Sequence, residues 1–209
     1  MKSHPSFSLL LVSCLLLIAI AGPAAGQERS FGTRGDVELA GSISFSSVSV
    51  VTGGNASDAT TILSFGPQVA YFVADGFEIG FSPGIALYPL LPGLSVMSSG
   101  GNTTTVLQLF LYPGYNFRTE GSKTTPFLEA PIGYTSVSSG GSNGESGFSW
   151  GVRGGVKINV TGQVLLTVYG EYLLITLDPS ESGFIYPYAQ SGRNGFNYLS
   201  FGIGLGGFF

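Results

Sequence analysis

The chain has 209 residues and a net charge of −4, and only 10% of its residues are charged while 44% are hydrophobic. Charged residues make up about a quarter of an ordinary soluble domain, so this composition argues against one. The acidic balance leaves no basic patch, which argues against binding to nucleic acid.

The first 26 residues read as a secretory signal peptide. Lys2 supplies a short basic region, residues 9–20 are almost entirely apolar, and residues 24–26 offer small side chains at a cleavage site. Cleavage removes one lysine and so changes the net charge from −4 to −5. It also removes His4 and Cys14, the only histidine and the only cysteine of the sequence.

The loss of both residues restricts the chemistry of the mature chain. Residues 11–14 resemble a lipoprotein cleavage box, but the apolar run continues past Cys14, which favours an ordinary signal peptide. Without histidine and cysteine the mature chain lacks the commonest general base, the commonest metal ligand and a thiol nucleophile. We therefore expect no enzymatic activity, no metal site and no cofactor.

Beyond the signal peptide, apolar and small or polar residues alternate with a period of two, which predicts β-strands. No later stretch reaches the ~20 apolar residues of a transmembrane helix, but each segment exceeds the ~9–11 residues of a tilted membrane-spanning strand. The eight predicted strands cover residues 36–48, 60–74, 77–89, 104–117, 126–137, 147–159, 163–175 and 197–209.

The alternation assigns a lipid face and a lumen face to each strand. The residues predicted near mid-membrane on the lipid face are Leu109, Val152, Leu166 and Ile203. Aromatic residues collect at membrane–water interfaces. The predicted girdle at the periplasmic interface consists of Tyr71, Phe77, Tyr115, Phe117 and the terminal Phe209.

The connections alternate between short and long. Short turns are predicted at 75–76, 118–125 and 160–162, and long Gly/Ser/Thr/Asn-rich loops at 49–59, 90–103, 138–146 and 176–196. Outer-membrane barrels have short periplasmic turns and long outer loops. The pattern predicts an all-β fold: a single domain over residues 27–209 that forms an eight-stranded antiparallel up-and-down transmembrane β-barrel, with both termini on the periplasmic side.

The last long loop is the candidate surface-binding loop. It carries several apolar side chains among polar ones, and exposed aromatic residues often mark an interaction surface. An alternative is that they pack over the mouth of the barrel. The residues concerned are Phe184, Ile185, Tyr186 and Tyr188.

The lumen face carries a predicted charge network. Its members are Glu38, Glu78, Glu129, Arg153, Lys157 and Glu171. Charges in a narrow, poorly hydrated space are costly unless they are paired. The turn at 160–162 pairs Arg153 opposite Tyr169, so we expect Arg153 to bridge Glu171 diagonally and Lys157 to meet Glu129 or Glu78. The network is interpreted as an ionic plug, with a proton or ion relay as the alternative.

Four prolines lie inside predicted strands, where proline removes a hydrogen bond of the ladder. Pairing across the short turns makes Pro67 face Pro83 and brings Pro113 near Pro131. Such prolines indicate either bulges that help the sheet to curve or an incorrect strand boundary.

Three segments carry a resemblance to a known family. Residues 69–76 (VAYFVADG), 126–130 (PFLEA) and the closing 204–209 (GLGGFF) look like the outer-membrane β-barrel domain family of small OmpA/OmpX-like barrels. The resemblance implies location in the bacterial outer membrane, contact with the lipid bilayer and lipopolysaccharide, and insertion by the barrel assembly machinery. It also implies that Phe209 acts as an assembly signal. It implies no activity and names no surface ligand.

The expected function is that of an integral outer-membrane protein with a structural or surface-interaction role and a lumen closed by side chains. A porin-like narrow pore, or a transporter with a lateral port for small or hydrophobic molecules, is the alternative. A secreted soluble β-barrel is a third possibility.

Overall fold

The computed structural model describes residues 30–88, 104–139, 145–177 and 194–209. The predicted signal peptide, with His4 and Cys14, lies outside the described residues, as do the four apolar residues of the candidate binding loop, 184–186 and 188. Over the ranges that are described, no helix is long and apolar enough to cross a membrane.

The strands form one closed antiparallel sheet. In chain order they are β1 (Val37–Thr52), β2 (Asn55–Ala56), β3 (Thr60–Ala74), β4 (Phe77–Tyr88), β5 (Thr104–Asn116), β6 (Thr124–Glu129), β7 (Ile132–Ser139), β8 (Glu145–Thr161), β9 (Val164–Thr176) and β10 (Gly195–Phe208).

These segments make eight barrel strands, because two of the eight are interrupted. The short β2 lies along the same edge of β1 as β3, and β6 and β7 lie end to end between β5 and β8. The sheet closes where β1 pairs with β10, from Glu38 opposite Phe208 to Val51 opposite Gly195. The predicted eight-stranded antiparallel barrel is therefore confirmed.

The wall alternates between an apolar outer face and a mixed inner face, as the period of two predicts. On β8, for example, Val152 is 49% exposed while its neighbour Arg153 is only 6% exposed. Most of the predicted lipid-facing side chains are exposed, whereas Leu166 and Phe209 are half-buried. The exposed group comprises Leu109, Val152, Ile203, Tyr71, Phe77, Tyr115 and Phe117. An apolar outer wall of this kind suits contact with lipid.

The two ends of the barrel differ. One end, the turn end, carries the short turns at 75–76, 117–123 and 162–163 together with the start of β1 and the end of β10. The opposite end is the loop end. At the turn end, residues 31–36 fold back against the barrel and place Phe31 in its interior. The period-two pattern did not predict this segment, because it lies before the first strand.

Four irregularities interrupt the ladders of the described strands. The fifth barrel strand breaks between Glu129 and Ile132, where the Ala130 amide donates to the carbonyl of Pro113 and the Pro131 carbonyl accepts from Gly151. A bulge between Asn159 and Thr161 shifts the β8–β9 register. The other two lie between β3 and β4; one of them is a register shift between Phe72 and Ala74.

The pairing of β3 with β4 stops halfway along the barrel. It runs from the turn up to Val69 opposite Phe81, while the rest of β3 pairs only with β1 and the rest of β4 only with β5. Within these described strands, residues 60–68 and 82–88 therefore share no ladder, and we call this interval the split seam. It begins where Pro67 would pair with Pro83, and neither residue has an N–H to donate. The Ser82 hydroxyl donates instead to the Pro67 carbonyl at 2.7 Å.

Candidate functional site

Lys157 lies at the centre of the best-connected group in the interior. Its ammonium group is 2.8 Å from a carboxylate oxygen of Glu38 and 2.7 and 3.0 Å from the two oxygens of Glu78. The side-chain amide of Asn116 also donates to Glu78 at 2.8 Å. All four residues are buried. We call them the Lys157 cluster; their opposite charges and hydrogen bonds offset the cost of removing them from water.

Aromatic side chains cover the Lys157 cluster. The ammonium group lies 5.3, 5.9 and 5.2 Å from the ring centroids of Phe31, Phe72 and Phe127. Distances below about 6 Å allow a cation–π interaction, and the rings also exclude water. The cluster is therefore closed on the side that faces the turn end.

An apolar plug fills the turn end itself. It consists of Phe31, Phe72, Leu165 and Phe208, all buried. Phe31 meets both Phe72 and Phe208 edge-on, with centroids 5.2 Å apart in each case. Edge-to-face pairs add to the free energy of burial. The N-terminal segment thus contributes a side chain that packs against three barrel strands.

Backbone hydrogen bonds hold the segment that carries Phe31. The carbonyl of Gly32 accepts from the Gly76 amide at 2.9 Å and from the Arg118 guanidinium at 3.0 Å. The Gly35 amide donates to the Phe72 carbonyl at 2.8 Å. Gly32 has a φ of +79°, and a Cβ there would lie 3.2 Å from both Arg118 and Phe72, so the position requires glycine.

Arg153 forms a second group, two inward-facing positions further from the turn end than Lys157 on the same strand, β8. Its guanidinium donates to the Gln68 side-chain oxygen at 2.9 Å and lies 3.4 Å from a carboxylate oxygen of Glu129. The ring of Tyr169 is 3.9 Å away, and those of Tyr112 and Phe127 are 5.2 and 5.8 Å away. These residues form the Arg153 cluster, in which a planar guanidinium stacks on aromatic faces.

The Arg153 cluster leaves polar atoms without hydrogen bonds. Both carboxylate oxygens of Glu129 and the Nε of Arg153 are buried and have no hydrogen-bond partner. A cavity of ≈ 10 Å³ lies beside them, and its lining includes Gln68, Ser42 and Gly204. A volume of this size is about that needed for one water molecule.

The pairing of Arg153 differs from the sequence prediction. Arg153 lies directly opposite Glu171, and Tyr169 lies opposite Gly155. The turn is centred later than predicted, at Gly162, and this moves each partner by two residues while keeping it on the same face. The predicted Arg153–Glu171 bridge is wrong as an ion pair, because the contact within 4.0 Å is with Glu129. Glu171 interacts with Arg153 electrostatically and with the Tyr112 hydroxyl.

Small hydroxyl side chains line much of the described interior on the loop side. The Ser46 and Ser200 hydroxyls are 2.7 Å apart, and those of Thr135 and Ser149 are 2.8 Å apart. One group of apolar side chains also lies there and comprises Phe110, Tyr112, Leu173 and Tyr198.

Two features of the site were not predicted from the sequence, although the alternation of residues contained part of the information. Gln68 and Asn116 lie at inward-facing positions by the same alternation that selected the charged residues. Their neutral side chains gave no reason to include them. Phe31 carried no periodic signal at all, since it acts from outside the strands.

The terminal Phe209 exchanges backbone hydrogen bonds with Val37 at 3.0 and 3.1 Å, and its role in assembly stays a prediction.

Solved structures of three outer-membrane proteins resemble this fold. Neisserial surface protein A has a TM-score of 0.58 and 16% identity, over 83% of this chain and 99% of that chain. OprG from Pseudomonas aeruginosa has a TM-score of 0.53 and 16% identity, over 85% and 97%. Ail of Yersinia pestis, in complex with the heparin analogue sucrose octasulfate, has a TM-score of 0.50 and 16% identity, over 85% and 100%.

No protein-family model matches the chain, and no curated protein matches it either. At these identities the similarity to solved structures is one of fold. The chain therefore has the closed eight-stranded antiparallel fold of the small outer-membrane β-barrels.

Proposed function

We propose that the protein is an integral protein of the bacterial outer membrane with a structural or surface-interaction role and a lumen that does not conduct. One observation carries the closed lumen: the apolar plug and the Lys157 cluster lie in contact and are both buried. A barrel of eight strands has room only for side chains in its interior. The proposal includes no catalytic activity and no cofactor.

The outer surface supports the membrane location. The exposed apolar wall would contact the lipid bilayer and lipopolysaccharide, and the barrel assembly machinery would insert the chain after removal of the signal peptide. Ail, which shares the fold, was solved in complex with a heparin analogue, so the fold is compatible with ligand binding. That ligand belongs to Ail.

Conductance in planar bilayers tests the closed lumen. We expect the purified, folded protein to show no stable open channel. Removal of the plug in a Phe31→Ala/Phe72→Ala double variant should produce current, because the two rings fill the turn end. A Leu109→Ala variant, changed on the exposed face, is the control and should show no current. A stable open channel in the unmodified protein would contradict the proposal.

The split seam favours a second function, a lateral port for small apolar molecules. The apolar plug blocks the turn end, so a molecule that enters from the loop end could leave only sideways. The split seam supplies an interval of wall without ladder hydrogen bonds, between residues 60–68 and 82–88. Its position, where Pro67 would face Pro83, explains why the ladder cannot continue.

Restoring the ladder tests the lateral port. In a Pro67→Val/Pro83→Val variant both residues regain an N–H, so the seam can close. We expect transfer of a small apolar dye into vesicles containing the protein to fall to the rate of protein-free vesicles. Pro113→Val is the matched control, because Pro113 already lies in a complete ladder opposite Ile79. Equal transfer by the unmodified protein and the double variant would exclude the port, while leaving the closed lumen to the conductance test.

A further inference from the structure

Glu129 is unusual among the acidic residues of the interior. Its side chain has no exposed surface, and neither carboxylate oxygen accepts a hydrogen bond. An ionised carboxylate in that situation has lost its water without receiving hydrogen-bond donors in return, which is unfavourable. A neutral carboxyl group avoids most of that cost.

The balance of charge in the interior points the same way. Among the described side chains, the inward-facing positions of the strands carry four carboxyl groups and two cations: Glu38, Glu78, Glu129, Glu171, Arg153 and Lys157. Two negative charges are in excess if every carboxyl group is ionised. A narrow interior tolerates such an excess poorly, because each charge is far from bulk water.

The hydrogen bonds single out Glu129 from the other three. Glu38 and Glu78 accept bonds from Lys157 at 2.7–3.0 Å, which favours their ionised form. Glu171 is half-buried and lies opposite Arg153. Glu129 has one ionic neighbour within 4.0 Å, Arg153; the Nη1 of Arg153 lies 3.4 Å from Glu129 without a hydrogen bond to it and donates one N–H to Gln68.

We propose that Glu129 and the cavity beside it form a proton-binding site, in which Glu129 is a neutral acid that donates a hydrogen bond to one buried water molecule. The cavity volume of ≈ 10 Å³ matches a single water molecule. The water can in turn accept from the unpartnered Nε of Arg153. A metal cation does not fit, because both Arg153 and Lys157 line the same cavity.

The groups that face the site come from five strands. Arg153 and Lys157 project from β8, and Tyr169 and Glu171 from β9. The remaining titratable or charged neighbours, one from each of three further strands, are Glu38 (β1), Glu78 (β4) and Tyr112 (β5). The proton on Glu129 reduces the negative excess that these groups share.

Infrared spectroscopy of the folded protein in lipid vesicles tests the proton. At neutral pH we expect the carbonyl band of a protonated carboxylic acid, with a small shift in D₂O. The band should be absent in Glu129→Gln, which should fold with an unchanged unfolding midpoint because the amide has the size and neutrality of the acid. Glu78→Gln is the matched control; it should keep the band and lower the midpoint, since it removes a charge paired with Lys157.

A second variant tests the water. Gly204 lines the cavity, and a Cβ there would lie 3.3–3.6 Å from Gly41, Ser42 and Thr167. In Gly204→Ala the added methyl group should displace the water and move the acid band to higher frequency. An unchanged band in this variant would contradict the proposal that a water molecule is bound beside Glu129. The proposal that Glu129 is protonated would be wrong if the band is absent in the unmodified protein or persists in Glu129→Gln. It would also be wrong if Glu129→Gln fails to fold.

Discussion

The Lys157 and Arg153 clusters offer a direct comparison, because the two cations lie four residues apart on the inner face of one strand. Lys157 is bound by two carboxylates at 2.7–3.0 Å, and its neighbours have most of their hydrogen bonds. Arg153 has one carboxylate at 3.4 Å, one amide at 2.9 Å and a close aromatic ring.

The difference shows that one barrel uses two ways to bury a positive charge. A compact ammonium group is strongly hydrated, so its burial requires close anions. A guanidinium is more weakly hydrated and stacks on rings, so its burial can rely on Tyr169 and its aromatic neighbours. The Lys157 cluster should therefore be the more sensitive of the two to the removal of charge.

The largest effect is expected from Lys157→Met, which keeps the length of the side chain but leaves two buried carboxylates without their cation. Removing one partner of a buried ion pair costs ~3–5 kcal/mol. We expect a loss of that size in the free energy of unfolding, measured by urea titration in vesicles with gel migration as the readout. Lys123→Met, at an exposed turn position, is the control and should change little. Equal stability of both variants would remove the special role of Lys157.

A smaller effect is expected from Arg153→Met. The change removes a hydrogen bond from a charged group, which contributes ~1.5–3 kcal/mol. It removes no hydrogen bond from Glu129, which accepts none. We therefore predict a loss of about 2 kcal/mol in the same titration. A loss as large as that of Lys157→Met would show that Glu129 is ionised and depends on Arg153, and would contradict the comparison.

The smallest effect is expected from Tyr169→Leu, which removes the ring 3.9 Å from the guanidinium. A buried cation–π interaction contributes up to ~2 kcal/mol, so a loss of about 1 kcal/mol is expected. Tyr169→Phe keeps the ring and loses only the 3.3 Å bond to Ser42, so it should be nearly neutral. In an Arg153→Met background, Tyr169→Leu should cause a smaller loss in the free energy of unfolding. Equal losses in both backgrounds would mean that the ring and the cation do not interact.

The strands and their faces could be predicted from sequence because alternation is a local property. The fifth strand, predicted over 126–137, extends over Thr124–Ser139 with one interruption at 130–131. The same alternation placed Glu129, Arg153 and Lys157 inside without any knowledge of their partners. A pattern that repeats every two residues needs no information from the rest of the chain.

The partners could not be predicted in the same way, because they depend on register and on distant contacts. The turn is centred at Gly162, later than predicted, and this places Glu171 opposite Arg153; neither the later turn nor the bulge at Asn159–Thr161 leaves a distinct signal in the sequence. The plug residue Phe31 docks against side chains 41 and 177 positions away in the sequence, Phe72 and Phe208. The prolines could be read from the sequence, but only the structure showed that β3 and β4 do not pair beyond Val69, from the split seam at Pro67 onward.

The contacts of Phe31 also imply an order of events in folding. Its two ring partners lie on the second strand of the barrel and on the last, which come together only when β1 has paired with β10. Contacts between residues so far apart in sequence form late, since the loop between them must first be closed. The N-terminal segment precedes the barrel in the sequence, yet Phe31 can complete its ring contacts only after β1 has paired with β10. Docking of Phe31 thus reports that the barrel is complete.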